Sequence, residues 1–391
     1  MADWSRLTLA LLAPVSSVHT RRWAMALSTA GHRVIVASWQ PGPPIPGAEV
    51  CVAPGAGTAP VRRLALASSW LRRIVADARP DVVHVHSVGV HGLLSLALPN
   101  GPACAVTPWG SELRAARYSA GRAAVVRLAL RKADLVMPTS TAVAREVTTR
   151  YGIPAKRVHV LSWGVGETLI AAQSSISRNV VRSAYEIPAE AIVVLSIRSA
   201  AATYRTHEIM SAFVDAAAER PDLFLVVLAG HCPDRETARL AKEGYLDLIR
   251  QAADAKQGRV RIIERALSPS QTFELMCASD IAVSIPPADQ RSSSVLEAAL
   301  AGCRLLLSDI APYREMIKDG LEANLLAEPI VAKLAKELRI ASADGAGQLR
   351  NKKFILANEH GADKTAVLEQ TYRQLSARAI GSRRRDSGAG S

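Results

Sequence analysis

The chain has 391 residues, with 48 Lys and Arg against 35 Asp and Glu, which gives a formal net charge of +13. At roughly 150 residues per domain, this length predicts two or three domains and excludes a single small module. Apolar residues make up 49% and charged residues 21%, a composition that excludes disordered, collagen-like and disulfide-dense proteins.

The positive charge is concentrated in the first half of the chain. Residues 1–165 carry 19 Lys and Arg against 7 Asp and Glu, whereas residues 166–391 carry 29 against 28. A basic half favours an anionic partner, which could be nucleic acid, an anionic membrane surface or an anionic small molecule. The positive charge therefore indicates an anionic partner of the first half and not of the whole chain.

In chain order, short apolar runs rich in β-formers alternate with helical runs, the pattern of a parallel sheet wrapped by helices. Strands are predicted at 8–14, 33–38, 49–53, 82–87, 103–107, 135–140 and 157–162. Helices are predicted at 20–30, 61–79, 120–133 and 142–151. We expect residues 1–165 to form a Rossmann-like domain, followed by a linker at 166–187.

The alternation then restarts, which predicts a second domain of the same class at 188–358. Its strands are predicted at 191–197, 223–229, 259–264, 280–285 and 303–308, and its helices at 207–218, 236–255, 271–278, 293–301 and 312–318. A helix at 359–379 is expected to pack back toward the first domain, ahead of a disordered tail at 380–391. We expect two doubly wound domains that face each other across a cleft, with ligands at the carboxyl ends of the strands.

The cellular setting is indicated by cysteine usage and hydropathy. Five separated cysteines without a C-x-x-C pair predict neither a disulfide framework nor a zinc site, and favour the reducing cytoplasm. The apolar run after Arg6 could be a signal peptide, but Asp3 and the lack of a cleavage site favour a first strand. No apolar run approaches the roughly 20 residues that span a bilayer. We expect a cytoplasmic protein, soluble or at the cytoplasmic face of a membrane.

The sharpest motif is a pair of acids, Asp289 and Glu297, around the start of the helix predicted at 293–301. A serine at 292–294 can cap that helix, whose free N–H groups form a site for phosphate. Glu297 would lie about one turn inside, near 5 Å along the axis. Acids on both sides of a bound anion suit a nucleotide-activated sugar, although acid pairs before helices are common.

This segment resembles the E-x7-E motif of the retaining glycosyltransferases of family 4, with Asp289 in the first position and Glu297 in the second. The similarity includes HTRRWAMAL at 19–27, PDVVHVH at 80–86 and ADLVMPTS at 133–140, and covers the chain to about residue 375. The resemblance implies a GT-B fold and transfer of a sugar, with retention, from a nucleotide-diphosphate donor to a hydroxyl. It implies that Glu297 holds the ribose and Asp289 the sugar hydroxyls.

The resemblance also implies further donor-site residues. Arg198 matches the family's Arg that neutralises the diphosphate, and we place it with Asp289 and Glu297 as catalytic. The family's Lys is missing, and Arg205 either replaces it or is a surface residue. The remaining donor-site candidates follow strands or begin the phosphate-binding helix: Gly230, His231, Arg265, Ser293, Ser294 and Val295.

Acceptor-side candidates lie in the first half. Trp109 stands where many relatives have a His facing the donor sugar, and it is followed by Gly110, Ser111 and Glu112. His19 replaces part of the family's glycine pair after the first strand. His84 and His86 share strand parity and point to one face, with His86 nearer the strand's carboxyl end.

Other partners are left open or excluded by the sequence. No D-x-D and no Cys/His cluster is present, so we expect no metal and no cofactor besides the nucleotide-sugar co-substrate. The sequence contains no recognisable nucleic-acid recognition motif, so we expect no nucleic-acid partner. The acceptor is a sugar, a lipid-linked molecule or a natural product, and the basic helices at 61–79 and 120–133 either rest on an anionic membrane or present a solvated face. The alternative function is a non-transferring relative, either a nucleotide-sugar epimerase or a sugar-nucleotide binding partner.

Overall fold

The computed structural model describes residues 6–230, 237–254, 258–342 and 346–388. The chain divides into two compact units. Unit 1 consists of residues 1–163 with 361–391, and unit 2 consists of residues 164–360.

Unit 1 contains a six-stranded parallel sheet in the order β3-β2-β1-β4-β5-β6. Its strands are β1 (Thr8–Leu12), β2 (Arg33–Ser38), β3 (Ala48–Val52), β4 (Val82–His86), β5 (Ala103–Thr107) and β6 (Leu135–Val136). Its helices are α1 (Val18–Thr29), α2 (Pro60–Ala78), α3 (Val90–Ser95), α4 (Ser111–Ala115), α5 (Ala120–Lys132), α6 (Thr141–Tyr151) and α16 (Gly361–Gly388).

The two faces of this sheet are both buried, which explains the continuous apolar strands. Ala10 and Leu12 of β1 face the core formed with α2, α3, α5 and α6, whereas Leu9 and Leu11 face the core formed with α1 and α16. Helix α16 enters that second core through Leu368, Tyr372 and Leu375. Helix α16 thus contributes to the core of unit 1.

Unit 2 repeats the architecture, with the parallel order β12-β11-β10-β7-β8-β9. Its strands are β7 (Ile192–Ser196), β8 (Leu223–Leu228), β9 (Val260–Ile263), β10 (Ile281–Ser284), β11 (Arg304–Ser308) and β12 (Asn324–Leu326). Its helices are α7 (Glu167–Ala172), α8 (Arg178–Ala184), α9 (Thr206–Glu219), α10 (Thr237–Asp254), α11 (Pro269–Cys277), α12 (Ser293–Ala301), α13 (Ala311–Lys318), α14 (Ile330–Arg339) and α15 (Ala346–Asn358).

The order of strands creates a switch point in each unit, where the chain connections run in opposite directions from two adjacent strands. In unit 1 the switch point lies between β1 and β4, and in unit 2 between β7 and β10. Ligands of doubly wound sheets bind outside the carboxyl ends of such strand pairs. The segments after these four strands are therefore the places to look for a site.

Several sequence predictions are corrected. Residues 157–162 form no strand: Ala155–Arg157 is a 3-10 turn and only Val158 bridges to β6, because this segment lies beyond a two-residue edge strand. The predicted linker at 166–187 belongs to unit 2, where α7 and α8 bury Leu169 and Val181. Such short helices give little periodic signal. The predicted tail at 380–391 is helical as far as Gly388. Strand β12 and helices α3 and α4 were not predicted.

Among the described residues, no helix combines the length and the apolarity needed to cross a bilayer.

Candidate functional site

Three polar residues meet at the switch point of unit 2. Arg198 lies two residues beyond β7, Asp289 lies in the loop after β10, and Ser292 is the N-cap residue of α12. Arg198 Nη1 donates to Ser292 Oγ at 2.7 Å and lies 3.2 Å from Asp289 Oδ2. The structure thus brings together Arg198 and Asp289, two residues that the sequence placed in one site.

Two tyrosines that the sequence analysis missed complete this cluster. The Tyr313 hydroxyl donates to Asp289 Oδ2 at 2.9 Å and lies 3.0 Å from Ser284 Oγ. The Arg198 guanidinium lies over the ring of Tyr204, 4.4 Å from its centroid. Tyr313 follows the strand predicted at 303–308 by five residues, a signal that could have found it, whereas Tyr204 carries no local pattern.

The electrostatics favour an ionised pair in a poorly hydrated setting. Burial lowers the pKa of Arg198, but Asp289, Tyr204 and Tyr313 more than offset it, and the net shift is upward. Burial, and then the charge of Asp289, raise the pKa of Tyr313 well above its usual value. Tyr313 therefore stays protonated as a hydrogen-bond donor. The side chains of Arg198 and Asp289 are only 18% and 11% exposed.

The start of helix α12 lies beside this pair. Ser294 Oγ is 3.3 Å from Arg198 Nη1, and the Ser293 hydroxyl is buried with no hydrogen-bond partner among the described residues. Val295 is buried in the core of unit 2, and Glu297 is half-buried one turn further along. Free helix N–H groups, hydroxyls and a fixed guanidinium are the groups that bind phosphate.

Arg205 does not join the Arg198 cluster. Its Nη1 donates to Glu328 at 2.8 Å and its Nε lies 3.4 Å from Glu208. Arg205 has a left-handed backbone conformation with φ of 55°, which ends a 3-10 turn and starts α9. Its guanidinium is therefore engaged by carboxylates at the surface.

Gly230 and Arg265 lie together, at the carboxyl ends of β8 and β9. A Cβ at Gly230 would lie 2.0 Å from the Arg265 carbonyl oxygen, so only glycine allows this approach of two backbones. The Arg265 side chain turns to Tyr185, whose hydroxyl accepts from Nη2 at 3.1 Å. The predicted site residue His231 lies outside the described residues.

Unit 1 collects aromatic rings at its own switch point. His19 is half-buried and stacks on Trp163, with centroids 4.6 Å apart, while Trp109 lies edge-on to both rings. His86 is fully buried beside Trp23 and Trp163, and its Nδ1 lies 3.4 Å from Thr20 Oγ1. The structure thus groups His19, His86 and Trp109, three of the acceptor-side candidates, with Trp23 and Trp163, and their contact with an acceptor stays a prediction.

Glu112, in the first turn of α4, binds the segments that follow β4 and β5. Its Oε1 accepts from the N–H groups of Val88 at 3.0 Å and Trp109 at 2.7 Å, and Ser111 Oγ donates to its Oε2 at 3.0 Å. Gly110 has φ of 84°, a left-handed conformation that a glycine adopts without strain. The buried carboxylate therefore fixes the loop, and contact with an acceptor stays a prediction.

The two histidines of β4 point to one face, as their parity predicted, with ring centroids 4.7 Å apart. His84 is held by Thr107 Oγ1, at 2.8 Å from its Nε2, and by the Tyr372 hydroxyl at Nδ1. Burial lowers the pKa of His84 to about 3, and burial with neighbouring histidines lowers that of His86 well below its usual value. Both rings are therefore neutral near pH 7.

Comparison with known proteins places the first half of the chain in a family. Residues 16–168 match the family model described as Glycosyltransferase Family 4. This segment, which includes β2 to β6, belongs to that family. The resemblance seen in the sequence motifs is confirmed. No curated protein matches the sequence.

Solved structures similar to the chain include three glycosyltransferase-fold proteins. Sucrose-phosphate synthase from Thermosynechococcus elongatus is 16% identical with a TM-score of 0.77, covering 95% of this chain and 100% of its own. Anabaena HepE, solved with UDP and glucose, is 15% identical with a TM-score of 0.74, and the match covers 93% of this chain and 99% of the HepE chain. WaaG, a glycosyltransferase involved in lipopolysaccharide biosynthesis, is 16% identical with a TM-score of 0.69, and the match covers 93% of this chain and 99% of the WaaG chain. These matches confirm the predicted GT-B fold with two Rossmann-like domains.

Proposed function

We propose that this family-4 protein is a retaining glycosyltransferase that moves a sugar from a nucleotide-diphosphate donor to an acceptor hydroxyl. The observation that carries the proposal is the half-buried Arg198 guanidinium beside the start of α12, where Ser292 and Ser294 also converge. This arrangement stands at the switch point of unit 2, where doubly wound sheets bind nucleotides.

The chemistry that these groups supply is charge stabilisation. When the sugar leaves a nucleoside diphosphate, negative charge grows on the phosphate oxygens. The fixed guanidinium of Arg198 and the positive end of α12 would stabilise that charge in the transition state. Because these groups are already in place and would offset part of the phosphate charge, we propose that transfer needs no metal ion.

The two acids have separate proposed roles. Asp289 Oδ2 is held by Arg198 and Tyr313, and its Oδ1 accepts from the Gln290 N–H at 2.9 Å, so the carboxylate has a fixed orientation. A carboxylate fixed in this way would accept hydrogen bonds from sugar hydroxyls. Glu297, one helical turn along α12, would hold the ribose hydroxyls. The Anabaena relative solved with UDP and glucose supports a donor of this class.

A non-transferring relative, such as a nucleotide-sugar epimerase, is the second candidate. It is favoured by the position of Arg205, which pairs with Glu208 and Glu328 instead of supplying a second cation beside Arg198. Incubation of the donor without acceptor separates the two functions. Epimerised or hydrolysed donor would favour the second candidate, and transfer to an added hydroxyl would favour the first.

We further propose that the protein works in the cytoplasm, at an anionic membrane face that carries a lipid-linked acceptor. Helices α2 and α5, which both pack against α3, contain eight Arg and Lys and one acid, Asp77. Leu66 and Leu128 are 40% and 52% exposed on these helices. Exposed leucines among arginines suit the interface of anionic lipids, where each basic residue adds about 1 kcal/mol.

Vesicle sedimentation tests the membrane proposal. We expect binding to phosphatidylglycerol-containing vesicles that is absent with phosphatidylcholine alone and is released by 0.5 M NaCl, since salt screens the attraction. Arg73→Glu with Arg127→Glu should weaken binding, while Arg250→Glu with Arg314→Glu in unit 2 serves as the charge-matched control. Equal binding to both vesicle types would refute the membrane proposal.

A thermal-shift panel of nucleotides and nucleotide sugars tests the donor proposal, because a ligand of the folded state stabilises it by mass action. Arg198→Ala and Glu297→Ala should abolish the shift and sharply lower transfer. Arg250→Ala is the matched control, since Arg250 pairs with Glu264 and Asp247 at the surface. Normal turnover of both site variants with the active donor would show that the site is wrongly assigned.

A further inference from the structure

Arg291 lies in the site loop between Asp289 and Ser292, but its side chain turns away from Arg198. Its Nε donates to Glu359 Oε1 at 2.8 Å, and its Nη1 donates to Asp319 Oδ2 at 2.7 Å. The side chains of Arg291 and Glu359 are 9% and 2% exposed, whereas that of Asp319 is 45% exposed. Arg291 therefore has one buried and one solvated partner.

Glu359 lies where the chain leaves unit 2. The chain enters this unit at Gly164 and leaves it at His360. The Val165 N–H donates to the Glu359 carbonyl oxygen at 2.7 Å, and Val165 and His360 form a parallel bridge. The two crossing segments, residues 164–166 and 359–361, are thus hydrogen-bonded to each other, and the Glu359 carboxylate binds the site loop.

We propose that the Arg291–Glu359 pair couples nucleotide occupancy of the site to the two crossing segments, with Arg291 as a positioning residue. Arg291 is adjacent to the N-cap residue Ser292 and two residues from Asp289. A phosphate that binds at the start of α12 shifts or stiffens this loop. The buried Arg291–Glu359 pair then transmits the change to the backbone of Glu359 and to Val165. This inference rests on the proposed function, because it requires a nucleotide at this site.

Burial makes a purely structural explanation of the pair weak. A buried ion pair is often no more stabilising than apolar residues of similar volume, because both charges lose their hydration. Burial opposes the charge of Arg291, yet Glu359 and Asp319 keep its pKa raised. A charged pair differs from an apolar one in its fixed direction and geometry, which is the property that coupling needs.

Hydrogen exchange of the full chain, with and without saturating UDP-glucose, tests the coupling. UDP-glucose should slow exchange of the amides at 164–166 and 359–361 by about fivefold or more, within the usual range of coupling between sites. In the double variant Arg291→Met, Glu359→Leu, the apolar pair keeps the fold while this protection is lost, although UDP-glucose still binds. Asp319→Asn is the matched control and should retain the protection, because the bond to Glu359 remains.

Glu359→Gln guards against a double variant that fails to fold, since it keeps an oxygen acceptor for Arg291 and should reduce the protection only in part. Wild-type protection that persists unchanged in the folded double variant or in Glu359→Gln would overturn the coupling, as would binding without any protection of the crossing segments. Binding is measured separately by thermal shift. If neither UDP-glucose nor any other nucleotide sugar binds, the proposed function itself is overturned, and the coupling with it.

Discussion

Acidification from pH 7 to pH 5 should destabilise unit 1, because burial lowers the pKa of three of its histidines, His84, His86 and His91. Burial lowers the pKa of His84 to about 3 and that of His91 to about 4, and the pKa of His86 lies well below its usual value. In the unfolded chain each histidine takes up a proton near pH 6.5. Protons therefore bind preferentially to the unfolded state, and stability falls as the pH falls.

The magnitude follows from the two pKa values of each histidine. The stability that the neutral ring contributes is complete above pH 6.5 and is lost by about 1.4 kcal/mol per pH unit below it, down to the folded-state pKa. Between pH 7 and pH 5, His84 and His91 each account for about 2 kcal/mol, or about 4 kcal/mol together. Typical domain stability is about 5–15 kcal/mol, so this loss is large.

Tryptophan fluorescence isolates unit 1, because all six tryptophans lie within the first 163 residues. Urea titrations at several pH values should show the free energy of unfolding falling between pH 6.5 and pH 5. His91→Gln removes one buried titrating ring and should flatten the slope by about 1.4 kcal/mol per pH unit. His159→Gln, at an exposed position, is the matched control. A free energy of unfolding that is independent of pH in this range would refute the reasoning.

Three further outcomes are expected. Asp280→Ala should lower the free energy of unfolding of unit 2 by about 3–5 kcal/mol, because it removes the carboxylate that pairs with the buried Arg182 guanidinium at 2.9 Å. Calorimetry measures this, and an unchanged melting temperature would contradict it. Gly230→Ala should lower the free energy of unfolding by about 1–3 kcal/mol or more and weaken nucleotide binding, because the alanine Cβ collides with the Arg265 backbone. Wild-type binding and stability would count against this close approach of the two backbones. Glu112→Ala should remove the acceptor of two backbone N–H groups and lower the free energy of unfolding by about 1–3 kcal/mol, measured by urea titration. A neutral effect would show that water replaces the carboxylate.

Local pattern carried most of the fold prediction. Strands Arg33–Ser38 and Ala103–Thr107 and helix Ser293–Ala301 have the predicted bounds, because a strand buried on both faces is a continuous apolar run and a helix start is set by nearby residues. The segment at 157–162 shows the limit of such reasoning. It has strand-like residues, but its neighbour β6 is only two residues long, so Val158 alone forms a bridge.

By itself, the sequence determined the two parallel sheets, most of their strands and helices along the chain, and the position of Arg198, Asp289 and the serines of α12 beyond particular strands. Only the tertiary structure decided what those side chains contact. It placed Tyr313 and Tyr204 on the Arg198–Asp289 pair, turned Arg205 toward surface carboxylates and joined Arg291 to Glu359. Such contacts link residues far apart in the chain, and they depend on the distance and direction of side chains that no local periodicity records.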